Sequence, residues 1–196
     1  MMTSTADKDS RAPERRSRDA QASRRALLDA ARALFDELGY DRATTREIGE
    51  RAGVDAALIA RYFGGKEGLY IATIAEEPLG APASYRDAHQ LVAMLLERWE
   101  QRGHSPISRA LASPSLTDEV REQIQAVTER RLVDPLVSDL IARELPSPRL
   151  RAELLIAVTL GLAVTRSNGT LPTLASVPVE ELLAVLAPMI DALQSA

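Results

Sequence analysis

The sequence predicts an all-α protein, with an N-terminal three-helix, helix-turn-helix unit followed by a helical domain, about nine helices in total. Three observations predict this. Ala and Leu dominate while aromatic residues make up only 4% of the chain, a balance that favours helix over sheet. Apolar residues recur at helical spacing, and the period-two alternation of strands is absent. Gly or Pro stands at the ends of most of the periodic segments, as at Gly39, Gly53, Gly64, Pro148 and Pro178.

The elements follow in order. Residues 1–19 mix Ser, Asp and Arg without an apolar period, and are expected to form a disordered arm whose Arg11, Arg15, Arg16 and Arg18 either touch DNA backbone or are simply solvated. Leu27, Ala31, Leu34, Phe35 and Leu38 then fall on one helical face, and Gly39 stands just past its end. Thr44-Thr45-Arg46-Glu47 has the spacing of a capping box and opens a short helix that ends at Gly53. Asp55 caps a second short helix from Ala56 to about Phe63, with Ile59 and Phe63 on its core face. Gly49 leaves room for a close helix crossing. Two short helices joined by a glycine turn and preceded by a longer one form a helix-turn-helix pattern; a plain three-helix bundle is the alternative.

Further helices are expected over Lys66 to Glu77, Ser84 to Arg102, Ile107 to Ala112, Thr117 to about Glu144 with a kink at Pro135, Arg149 to about Arg166, and Val179 to about Leu193. The domains implied are an arm over 1–19, a helix-turn-helix unit over 20–75 and a second helical domain over 76–196. The last two helices are apolar around much of their girth. Leu154, Leu155, Val158 and Leu162 on one, and Leu182, Leu183, Leu186, Met189, Ile190 and Leu193 on the other, are expected to meet a second copy in a twofold four-helix interface, or else to close the monomer core.

Composition removes several function classes. There is no cysteine, so disulfides, thiol catalysis and Cys-based zinc sites are excluded. His89 and His104 have no metal-ligand spacing, so neither metal nor cofactor is expected. No GxSxG, HExxH, Walker or dinucleotide motif occurs; Gly64-Gly65-Lys66 is followed by Glu67 and has no glycine five residues before Gly64. An enzyme is therefore not expected. The first residues lack a signal-peptide apolar core, and the longest nearly unbroken apolar run, Leu154 to Val164, is too short to span a bilayer, so a cytoplasmic protein without a membrane partner is expected. The net charge is −4, yet residues 1–75 carry 13 basic and 12 acidic groups while the rest carry 11 and 16. Nucleic-acid contact is thus left to the first third.

The stretch 27–70 resembles the DNA-binding domain of the tetracycline-repressor (TetR) family. The matching elements are Leu34–Tyr40 (LFDELGY), Thr44–Val54 (TTREIGERAGV) and Arg61–Tyr70 (RYFGGKEGLY), about 50 of 196 residues in all. The resemblance implies a homodimeric helical transcription regulator, most often a repressor, with its second short helix in the major groove and a divergent C-terminal domain that dimerises and binds a small molecule. Within that picture Thr44 and Thr45 offer hydroxyls and free amides to a phosphate, and Arg46 reaches backbone or a base edge. Ala56, Ala57, Ala60 and Arg61 lie off the core face of the reading helix. Arg61 is its long donor and the candidate for a guanine edge, and the alanines suit thymine methyls. Tyr62 and Lys66 match family positions that contact phosphate; for Tyr62 a core-edge role is the alternative. Position 60 is often Tyr in the family and is Ala here, and position 55 is often Ser and is Asp here, so base preference cannot be transferred.

The partners expected are double-stranded operator DNA, a second copy of the chain and an unidentified small effector. Met94, Leu95, Trp99, Ile124, Val127 and Leu160 are the candidate effector contacts, with ordinary core packing as the alternative for each. Few polar groups stand among them, so a largely apolar effector is expected. A ligand-independent DNA-binding dimer or a helical interaction module is the competing function.

Overall fold

The computed structural model describes residues 11–76, 87–103, 107, 110 and 116–195, and the backbone alone for 11–17. These residues form nine helical rods and no strand. The rods are α1 (Arg11–Leu38), α2 (Thr45–Ala52), α3 (Ala57–Phe63), α4 (Lys66–Ala75), α5 (Ala88–Arg102), α6 (Asp118–Ala142), α7 (Pro148–Asn168), α8 (Pro172–Ser176) and α9 (Val179–Gln194). The all-α architecture is the one the sequence predicts. The chain divides into two compact units, Met1–Thr73 and Ile74–Ala196, with the division inside α4.

In the first unit α1 packs against α2 and α3. Its apolar stripe, Leu27, Ala31, Leu34 and Phe35, is 5% exposed or less and meets Ile48 of α2 and Ile59 of α3 in the same core. The helix begins earlier than expected. Residues 11–19, read above as part of a disordered arm, continue α1. Arg, Ala, Glu and Gln are strong helix formers, and Pro13 falls in the first turn, where its missing N–H is not needed. The apolar stripe that reveals a helix in sequence is absent from this stretch, so helix propensity was the available signal. Residues 1–10 lie outside the described part.

In the second unit α5 packs on α7 and α9, and α6 on α7. Asp87 caps α5 by accepting from the Gln90 amide at 2.9 Å. Thr117 caps α6 by accepting from the Val120 amide at 3.4 Å. The break expected at Pro135 takes the form of a π-helical turn, Glu129–Val133, just before it. A proline removes one rung of the α ladder and clashes with the carbonyl four residues back, and the wider turn accommodates that ring. In this turn the Arg131 guanidinium donates to the Ile74 carbonyl in the last turn of α4 at 2.6 Å. Of the expected helix at 107–112, Ile107 and Ala110 are helical and buried; its other residues lie outside the described part, as do Ser84 and Glu77.

Candidate nucleic-acid interface

The Thr44–Glu47 spacing produces a complete capping box. The Thr44 hydroxyl accepts from the Glu47 amide at 3.2 Å, and the Glu47 carboxylate accepts from the Thr44 amide at 2.9 Å and its hydroxyl at 2.7 Å. The bond from the Thr44 side chain holds the Glu47 carboxyl below its ordinary pKa. Gly53 closes α2 at φ +65°, a left-handed conformation that a side chain would strain. Asp55 starts the next helix by accepting from the Ala57 amide at 2.8 Å, so α3 begins one residue later than expected.

The α2–α3 crossing depends on Gly49. A Cβ there would lie 2.9 Å from both the Ala56 Cβ and the Val54 carbonyl oxygen. Two further contacts fix the pair on α1. Arg51 forms a bidentate ion pair with Glu37 at 2.6 and 2.9 Å, and Arg24 lies 5.0 Å over the Phe63 ring. The Arg51 partner keeps the Glu37 carboxyl below its ordinary pKa. Gly68 was not foreseen: a Cβ on it would sit 1.8 Å from the Phe63 carbonyl oxygen. It lets α4 start directly against the end of α3.

Within this frame Thr44, Arg46, Ala57, Ala60 and Arg61 are exposed, while Thr45, Tyr62 and Lys66 are half-buried. Arg46 is held along α2 by Glu50 at 2.8 Å. The Arg61 guanidinium stands 6.0 Å from the Tyr62 ring centroid, and that ring meets Phe63 edge-on at 6.4 Å, so Tyr62 bridges the core edge and the exposed arginine. Ala56 is half-buried against Gly49, which makes its methyl part of the helix crossing rather than of the exposed face. Lys66 lies 4.4 Å over Tyr40, which packs with Phe35 and Tyr70. Burial lowers the Lys66 pKa and raises that of Tyr40.

The second unit sorts the other candidates. Leu155, Leu182 and Ile190, expected at a twofold interface, are at most 4% exposed within the single chain and belong to its own core. Leu154 is exposed, and Val158, Leu162, Leu183, Leu186, Met189 and Leu193 are half-buried. Leu150 and Val164 on α7 and Val185 on α9, the last 75% exposed, are further apolar residues open to solvent on the same two helices. Among the proposed effector contacts, Leu95, Ile124 and Val127 are closed core residues, and Met94 and Leu160 are half-buried. Only Trp99 of the six lines a cavity of about 280 Å³, which lies between α5, α7 and α8. The cavity was missed because α8, five residues beginning at Pro172, has too short a pattern to be read. Among the described residues no cluster has metal-binding composition, and no helix is long and apolar enough to cross a membrane.

Comparison with known proteins now identifies both units. Residues 27–73 match the family model of bacterial regulatory proteins, tetR family. Residues 87–193, more than half of the chain, match that of the tetracyclin repressor-like C-terminal domain. The HTH-type transcriptional regulator BetI 2 of Chromohalobacter salexigens is 47% identical over 51 residues, 26% of this chain and 25% of that protein. The HTH-type transcriptional regulator BetI of Escherichia coli is 32% identical over 141 residues, 63% of this chain and 70% of that protein. The regulator FadR from Bacillus subtilis, solved in complex with stearoyl-CoA, shares the fold at a TM-score of 0.59 and 18% identity, covering 87% of this chain and 97% of that one. The capping box, the glycine turn and the helical second unit are thus features of a family member: the chain belongs to the TetR family of bacterial transcriptional regulators, with an N-terminal helix-turn-helix for DNA.

Proposed function

We propose that this chain is a homodimeric operator-binding repressor, released from DNA when a small effector occupies the second unit, and that it is not an enzyme. The single observation that carries the DNA reading is the exposed face of α3. Ala57, Ala60 and Arg61 lie in the open on a helix whose opposite side, at Ile59, is sealed into the core. Small residues let the helix approach a groove floor, and Arg61 reads guanine through its O6 and N7 acceptors. Thr44, Thr45 and Arg46 at the start of α2, with Tyr62 and Lys66 beyond α3, take the backbone phosphates and set the register. Ala56 supports α3 from behind.

The apolar surface of Leu150, Leu154 and Val164 on α7 and Val185 on α9 supports the dimer, because solvent-facing groups of this size and number mark association surfaces. A dimer of this kind reads two half-sites about 34–36 Å apart, one helical turn of DNA. The cavity in the second unit supports an effector, as does the bound stearoyl-CoA of the Bacillus subtilis neighbour. Release follows if the effector binds the DNA-incompetent conformation more tightly.

A mobility-shift assay on the DNA upstream of the gene tests the reading, with wild type, Arg61→Ala and Val185→Glu. Arg61→Ala is expected to relax base discrimination by about 1–3 kcal/mol at one position of each half-site. Val185→Glu is expected to remain folded, to sediment as a monomer and to lose the shift. Unchanged sequence preference in Arg61→Ala removes the base-reading assignment, and a shift retained by a monomeric Val185→Glu removes the dimeric operator.

A further inference from the structure

The cavity in the second unit has a more specific chemistry than an apolar pocket. At described positions its apolar wall is Leu96, Trp99, Ala163 and Ala175, and its polar wall is Glu100, Arg166 and Ser167. Trp99 is 2% exposed, and its indole N–H is buried with no acceptor among the described residues. Arg166 is fixed in place: its side chain is 9% exposed, and Nη1 donates to the carbonyls of Leu174 at 2.5 Å and Val177 at 2.8 Å. One Nη2 hydrogen goes to the Glu100 carboxylate. Nε and the second Nη2 hydrogen have no hydrogen-bond partner among the described residues. The wall therefore presents a preset guanidinium with open donors, and its carboxylate is half-exposed and already engaged.

We propose that this cavity binds a compact, ring-sized apolar molecule bearing one acceptor oxygen, a carboxylate or carbonyl, which Arg166 receives beside the Trp99 ring. The proposal rests on the reading that the second unit takes an effector, and names that effector's class. Size follows from volume: 280 Å³ holds about nine waters at roughly 30 Å³ each, the lower end for small-molecule sites. Selectivity follows from the donors. An anion or amide completes the hydrogen bonding of the wall, whereas an ammonium meets Arg166 as a like charge. Ala163 and Ala175 leave the space, and a larger side chain at either position occupies it.

Trp99 is the sole tryptophan of the chain, so its fluorescence reports the cavity directly. The full-length protein is titrated with phenylacetate, phenylacetamide and phenethylamine, which share a ring and differ in the polar group. Phenylacetate and phenylacetamide are expected to give a saturable emission change at about millimolar concentration, the affinity usual for some ten heavy atoms. Phenethylamine is expected to bind at least about tenfold more weakly, a difference of one charge-assisted contact. Ala163→Phe, or Ala175→Leu should the first fail to fold, is expected to weaken all three at least about tenfold by filling the space. No saturable change with any probe, equal affinity for the amine, or unaltered affinity in a folded cavity-filling variant overturns the proposal. The same samples are run in the mobility-shift assay. DNA binding without a tryptophan response removes this site and leaves the operator reading intact, and probe binding without a DNA shift does the reverse.

Discussion

The two units hold their helices by different means. In the first, α2 and α3 have only eight and seven residues, too few to persist on backbone bonds alone. Each start and stop there is set by local chemistry: the Thr44–Glu47 box, Gly53, the Asp55 carboxylate and Gly64 at φ +77°. In the second, α7 runs for 21 residues with no side-chain bond capping its N-terminus. Its place is fixed by burial of Ala152, Leu155, Ile156 and Ala163, and by Arg151, which gathers the carbonyls of Ala192, Leu193 and Ser195 at the end of α9. The short helices depend on explicit punctuation, whereas α7 is positioned by what it buries, although its neighbours α5 and α6 also carry caps at Asp87 and Thr117.

Three perturbations test that contrast. The largest effect is expected in the second unit. Leu95 is fully buried, and Leu95→Ala should lower its stability by about 2–5 kcal/mol in chemical denaturation, the cost of lost burial plus an unfilled cavity. A first-unit substitution that removes no burial at all should approach this. Gly68→Ala sets a methyl against the Phe63 carbonyl, and about 1–3 kcal/mol of strain is expected. An unchanged melting temperature in Gly68→Ala would show that the α3–α4 junction yields, and that backbone geometry does not govern this unit.

The smallest effect is electrostatic. The Glu37 carboxyl is held below its ordinary value by Arg51, so the pair contributes its full stability above the unfolded value of about 4.3. That contribution is lost as pH falls through the lower folded value. The melting-temperature gap between wild type and Glu37→Gln should therefore close on acidification below about pH 4.3, and a gap that widens there would contradict the role of the ion pair. Both side chains are solvent-exposed, so the effect should also shrink with added salt.

Much of the first unit was legible because its signals are local. Thr44 and Glu47 are three residues apart, and Gly39 and Gly53 stand where a left-handed residue must. The spacing of Gly49 suggested a close crossing, although the sequence did not show that Ala56 is the group it meets. Residues 11–19 were misread because helix propensity without an apolar stripe resembles a polar tail. The apolar faces of α7 and α9 were visible as such. A stripe around most of a helix does not say which part turns inward, which is why Leu155 and Ile190 were grouped with Leu154.

The sequence by itself determined where the short helices begin and end, and which family they belong to, because capping and left-handed turns depend on residues a few positions apart. Only the tertiary structure decided which leucines are core and which are surface. It alone set Trp99 and Arg166 on the walls of one cavity and put Gly68 against Phe63. Those outcomes are set by helices meeting in space, and the pairing of Glu100 with Arg166 leaves no periodic trace in the chain.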